Sequence, residues 1–115
     1  MVTLSPLYAI IDTGSATQPI DAADALLRAG VRLLQYRHKG AFERIHWEQC
    51  CRIAEMSRNA EASFIVNDRV DIALMCGAAG VHLGQTDLPP GAARRLMHTQ
   101  KPGAEKIFNK YINIY

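Results

Sequence analysis

Apolar residues recur along this chain in two rhythms. Short unbroken runs of β-branched and aliphatic side chains, LYAII at 7–11, VRLLQYR at 31–37, SFIVN at 63–67 and GVHLG at 80–84, predict four strands. Between them the apolar positions step by three and four, the spacing of one helix face. The first such segment runs from Pro19 to Ala29, with Ala22, Ala25, Leu26 and Ala29 on one face and Gly30 as its stop. The second runs from Phe42 to Asn59 and carries Trp47, Cys50, Cys51 and Ala54 as its stripe. A third, Val70 to Cys76, is closed by Gly77, and a fourth starts at Pro89 and Pro90 and carries Ala92, Ala93, Leu96 and Met97.

The order is therefore βαβαβαβα. Continuous apolar strands separated by single helices predict a parallel sheet covered by helices, an α/β fold. No linker composition or close repeat divides the chain. After residue 97 the texture changes, and the stretch 98–115, ending in KIFNKYINIY, does not continue the alternation. Its β-prone end is an aggregation hazard if left unpaired.

Composition narrows the picture. The 115 residues are 49% hydrophobic, which suffices for one core, and the formal charge is only +2. With no concentrated basic face, a nucleic-acid partner is not expected. The start, MVTLSPLYAI, has neither a basic opening nor a sustained apolar segment, and no run approaches the ~20 apolar residues of a membrane span, so a cytoplasmic protein without a membrane partner is expected. Cys50, Cys51 and Cys76 form neither a C-x-x-C site nor a disulfide framework, and are read as reduced and packed.

Chemistry gathers where the strands end, which is where parallel α/β folds place their ligands. The first strand ends in Asp12, the second in Gln35, Arg37 and Lys39, the third in Asn67 and Asp68, and the fourth in Gln85 and Asp87. Strand alternation sends Gln35, Arg37 and Lys39 to one face, with Tyr36 and His38 on the other. An Arg fork, a Lys point charge and an amide together suit a phosphorylated heterocycle, while a solvated strand end is the plainer reading of an isolated R-x-K. Asp68 and Asp87 end adjacent strands, where two carboxylates suit Mg²⁺ or simply cap the helices that follow. His82 is left as a packed histidine, and GAAG at 77–80 is too short for a dinucleotide fingerprint.

Read in order, LYAIID, GVRLLQYRHKG, FIVNDRVDIALMCGAAGVHLGQTDL and ARRLM resemble the thiamine-phosphate synthase family over residues 7 to 97, and the nineteen-residue step from Asp68 to Asp87 matches its pattern. The resemblance implies parallel βα units of a TIM (β/α)₈ barrel, here only the first four, a half barrel spanning residues 1–97 followed by an unmatched tail, 98–115. It implies a transferase of thiamine biosynthesis that joins hydroxymethylpyrimidine diphosphate to thiazole phosphate, with loss of diphosphate through a pyrimidine carbocation. Carried over by motif, Gln35, Arg37, Lys39 and Asn67 would hold the pyrimidine diphosphate, and Asp68 and Asp87 would hold Mg²⁺. No protein nucleophile is implied, and none is assigned. A complete barrel takes about 250 residues, so a truncated chain with little activity alone is expected. The competing expectations are a non-catalytic half barrel that binds ligand or forms a homodimer through its open sheet edges, and a thiazole-isomerising relative, which the NDR and GQTD carboxylates disfavour.

Overall fold

The structure is a computed structural model that describes residues 8–83. Strands β1 (Ala9–Asp12), β2 (Leu33–Arg37), β3 (Ser63–Asn67) and β4 (Gly80–His82) alternate with helices α1 (Pro19–Arg28), α2 (Arg44–Asn59) and α3 (Val70–Cys76). All neighbouring strands are parallel, in the sheet order β1-β2-β3-β4. Sequential order within a parallel sheet is what the first units of a (β/α)₈ barrel require, because each crossover helix returns the chain to the next strand along. The fourth predicted helix, Gln85, Asp87 and the stretch 98–115 lie outside the described residues.

Register decides which side chains share a face. Ile10, Gln35, Ile65 and Gly80 lie abreast, and so do Ile11, Tyr36, Val66 and Val81 one residue further on. The second row, with Leu34 and Phe64, faces the helices and builds the core together with Ala23, Cys50, Ile53, Ala54, Val70, Ile72 and Ala73. The first row faces the opposite side, where Gln35 and Ile65 are buried and Ile10 stays 54% exposed.

The helices deviate from their predicted stripes in instructive ways. Helix α1 buries Pro19 and Ala23, while Ala25 and Ala29 are exposed. Alanine is small enough to fit either face, so an alanine-rich helix orients by its larger residues, here Leu26 and Leu27, which pack half-buried on the core. Helix α2 begins at Arg44 and not at Phe42, because Glu43 and His46 form a reciprocal capping pair. Its buried stripe is Cys50, Ile53, Ala54 and Ser57, with Trp47 and Cys51 only half-buried. All three cysteines are free thiols, two of them buried, and burial raises the Cys50 thiol pKa well above its ordinary value. Helix α3 ends as expected at Gly77, whose φ of 76° is the left-handed conformation that glycine adopts without a Cβ clash.

Candidate functional site

Strand alternation carries the opposite-face row into polar chemistry at the carboxyl ends. Ile10 is followed on that face by Asp12, Gln35 by Arg37, Ile65 by Asn67 and Gly80 by His82. The same strands that seal the core with Leu34, Tyr36 and Val66 thus present charged and amide groups at one rim. Tyr36 and His38 lie on the helix side as the alternation predicts, and the Tyr36 hydroxyl donates to Gln49 Oε1 of α2 at 2.5 Å.

The rim groups pair across neighbouring loops. Lys39 Nζ donates to Asp68 Oδ2 at 3.0 Å, linking the loop after β2 to the loop after β3. Arg37 is bonded to Asp12 Oδ2 at the end of β1. The Asp12 carboxyl is held below the usual carboxylate range, first by the Gly14 N–H that donates to its Oδ1 at 2.8 Å and then by Arg37. A Cβ at position 14 would stand 3.1 Å from that oxygen, so glycine leaves room for the turn. Exposed pairs of this kind stabilise a fold by only about 0–1 kcal/mol. Their consequence is placement of cations and carboxylates, not stability.

Gln35 and Asn67 are buried amides. The Gln35 side chain donates to the Tyr8 hydroxyl. Asn67 Oδ1 accepts from His82 Nδ1 at 3.2 Å, which fixes that imidazole's proton on Nδ1 and accounts for the packed histidine. Asn67 Nδ2 is buried and has no hydrogen-bond partner among the described residues. A buried donor left unmade costs about 1–3 kcal/mol, so this amide is a donor awaiting an acceptor.

Asp68 has a backbone unlike that of its neighbours. Its φ of 70° is left-handed, a conformation that costs a non-glycine residue energy and collects at functional positions. Its N–H donates to the His82 carbonyl at 2.8 Å, so the turn is tied to β4. The N-cap of α3 falls to Arg69. The helix-capping reading of Asp68 therefore gives way to a carboxylate turned toward Lys39. Asp87, its predicted companion, lies outside the described residues, and among these no three His, Cys, Asp or Glu side chains converge on one point.

The site thus brings Lys39 to Asp68 and Arg37 to Asp12, and sets Gln35 and Asn67 on the same face without joining them. Sequence reasoning passed over Asp12 as a partner of Arg37, because a single strand-end aspartate carries no spacing signal. It also passed over the ring cluster of His38, Phe42 and His46, whose members are separated in sequence by a turn.

Comparison with known proteins agrees with this geometry. The family profile described as thiamine monophosphate synthase matches residues 7–102. The thiamine-phosphate synthase of Chlorobium phaeobacteroides is 43% identical over 101 residues, covering 88% of this chain and 49% of that protein. That of Synechocystis sp. is 47% identical over 87 residues, covering 76% of this chain and 24% of the relative. Among solved structures, thiamine phosphate pyrophosphorylase from Pyrococcus furiosus superposes with a TM-score of 0.71 at 30% identity, covering 77% of this chain and 44% of that one. The chain spans half or less of the length of these relatives. Matched by the family profile over residues 7–102 and by relatives at 43% and 47% identity, the chain belongs to the thiamine monophosphate synthase family.

Proposed function

We propose that the rim formed by β1, β2 and β3 holds the pyrimidine diphosphate of a thiamine-phosphate synthase reaction. Lys39 and Arg37 would engage the diphosphate, and the Gln35 and Asn67 amides would engage the pyrimidine. The observation that carries the reading is the buried Nδ2 of Asn67, without a partner among the described residues, on the same face as Arg37 and one residue before the carboxylate that Lys39 reaches at 3.0 Å. Inward amide donors next to mobile cations match a ligand that is part heterocycle and part phosphate.

A magnesium ion fits the donor chemistry. Asp68 offers a hard carboxylate oxygen in a turn fixed to β4, and Mg²⁺ prefers one or two carboxylates completed by water and phosphate oxygens. Asp68 would hold it, with Asp87 as the second carboxylate. Bound there, Mg²⁺ neutralises charge on a departing diphosphate. Lys39 and Arg37 would do the same from the protein side, as cations within reach of the oxygens that gain charge when the carbon–oxygen bond breaks. Because this work is electrostatic, it calls for no protein nucleophile.

Thiazole phosphate must be held against the pyrimidine for the new bond to form, and such positioning accounts for ~7–11 kcal/mol of a barrier. The curated relatives carry about as much chain again as is matched here, and we assign that task to the second half of the barrel. Among the described residues β1 and β4 are the outer strands, and we infer that a second copy pairs along them. The alternative is a half barrel that binds ligand without turnover.

Calorimetry with hydroxymethylpyrimidine diphosphate tests the reading. Binding should require Mg²⁺ in the wild type, and Asp68→Ala should abolish that requirement. Equal affinity for the mutant, or for wild type in EDTA, overturns the assignment. Turnover separates the two functions: thiamine phosphate formed in proportion to dimer content supports catalysis by paired halves, and binding without turnover supports the ligand-binding module.

A further inference from the structure

Among the described residues two loops carry the proposed ligand groups, and one ring cluster touches both. His38, between Arg37 and Lys39, stacks on His46 of α2 with ring centroids 3.6 Å apart and planes at 26°. The His38 and Phe42 rings meet edge to face at 5.8 Å and 78°, and Phe42 lies 5.4 Å from His46. On the other side the Arg69 guanidinium lies over the Phe42 ring, its Cζ 5.0 Å from the centroid. Asp71 holds that guanidinium with two bonds of 2.9 and 2.7 Å.

The polar atoms of His38 are equally committed. Nε2 stands 2.8 Å from the Ala41 carbonyl, which can only accept, so the proton resides on Nε2. Nδ1 is then free to accept from the Thr13 hydroxyl at 2.7 Å, which ties the loop after β1 to the same ring.

The cluster therefore holds the two residues that flank the Lys39–Asp68 pair. His38 precedes Lys39 and Arg69 follows Asp68, and both meet at Phe42. We propose that Phe42 and His38 are positioning residues that set the separation of Lys39 from Asp68, and so the spacing of the cation and carboxylate that engage a metal-bound diphosphate. The proposal rests on the reading of Lys39 and Asp68 as ligand groups. A lysine on an exposed loop has four rotatable bonds and no fixed station of its own, and the ring cluster fixes the backbone from which it reaches. The geometry requires an aromatic ring at position 42. A ring presents a negative face to Arg69 and makes an edge-to-face contact with His38 at once, whereas an aliphatic side chain of similar bulk fills the space without orienting either neighbour.

The test uses the 115-residue chain with inorganic diphosphate and Mg²⁺ as the probe, and two readouts. By calorimetry, Phe42→Leu and His38→Ala should weaken diphosphate binding by about three- to tenfold, and Phe42→Tyr should stay within about twofold of wild type. By nuclear magnetic resonance without ligand, the wild type and Phe42→Tyr should show cross-peaks between the Lys39 ε-methylene and the Asp68 β-protons, and Phe42→Leu should lose them. Thr13→Val, which removes one hydroxyl and keeps its shape, supplies a mild variant should His38→Ala fail to fold, and should weaken the same cross-peaks. Equal behaviour of Phe42→Leu and Phe42→Tyr in the cross-peaks overturns the proposal, whatever the binding. If wild type binds no diphosphate while the cross-peaks still separate Leu from Tyr, the positioning role stands and the ligand assignment of Lys39 and Asp68 falls.

Discussion

The two faces of one sheet obey different rules. Toward the helices, Leu34, Tyr36, Phe64, Val66 and Val81 are buried among α1, α2 and α3 side chains, and the one polar atom in that row, the Tyr36 hydroxyl, is satisfied by Gln49. Toward the opposite side, the same strands carry Gln35, Arg37, Asn67 and His82, and the Asn67 amide donor has no partner among the described residues. One face is optimised for packing and the other retains unspent hydrogen-bonding capacity. The difference shows how a short parallel strand serves both ends: alternate residues are surrendered to the core, and their neighbours remain available for a ligand.

Substitutions can break that contrast, beginning on the packed face. Phe64→Ala removes a ring that is 2% exposed, and should lower unfolding free energy by about 3–5 kcal/mol, read from urea denaturation. A loss below about 1 kcal/mol would mean that the helix-side layer is not the core of the fold. Tyr36→Phe keeps the ring and deletes the bond to Gln49, so the expected cost is smaller, about 1 kcal/mol.

On the polar face the order of effects inverts. Lys39→Ala breaks the exposed pair with Asp68 and should change stability by less than about 0.5 kcal/mol, while Mg²⁺-dependent diphosphate binding falls at least about tenfold. Loss of stability without loss of binding would assign Lys39 to structure.

Acid should weaken the fold in two steps, through His46 first and through Asp12 at lower pH. Asp12 has a lowered folded pKa, so its contribution to stability is fully present above the unfolded carboxyl value of about 3.9 and is lost as pH falls through the lower folded value. His46 has a lowered folded pKa because burial, and then His38, disfavour its charge, against a smaller opposing effect of Glu43. Stability linked to its neutral form is complete above about pH 6.5 and is lost as pH falls through the lower folded value. Its protonation would also put an N–H against the Glu43 N–H that it accepts at 2.9 Å. Thermal melts should therefore show two acid-side declines. Asp12→Asn should remove the lower and His46→Gln should flatten the upper, the smallest effect of the series. A melt independent of pH between about 6.5 and 4 would refute the His46 part.

Much of this was legible in the chain. Every predicted strand and helix within residues 8–83 is present, with ends moved by two residues or fewer, because β-branched runs and three-four spacing report directly on burial. Alternation along QYRHK correctly parted Tyr36 and His38 from Gln35 and Arg37. The orientation of α1 was not legible, since alanine at positions 22, 25 and 29 does not discriminate between faces. Nor was the start of α2, which rests on a Glu43–His46 cap in which histidine stands where Glu or Gln is usual.

What the sequence determined by itself is local: which segments extend, which coil, and which residue types stand at the strand ends. Partnership was decided by tertiary structure alone. Asp68 lies 29 positions from Lys39, Thr13 lies 25 from His38, and Asn67 lies 15 from His82, and each pair meets only because parallel register brings the ends of adjacent strands to one rim. Residue type limits what a side chain is able to bind. The crossover connections, which return every strand in the same direction, determine what it meets.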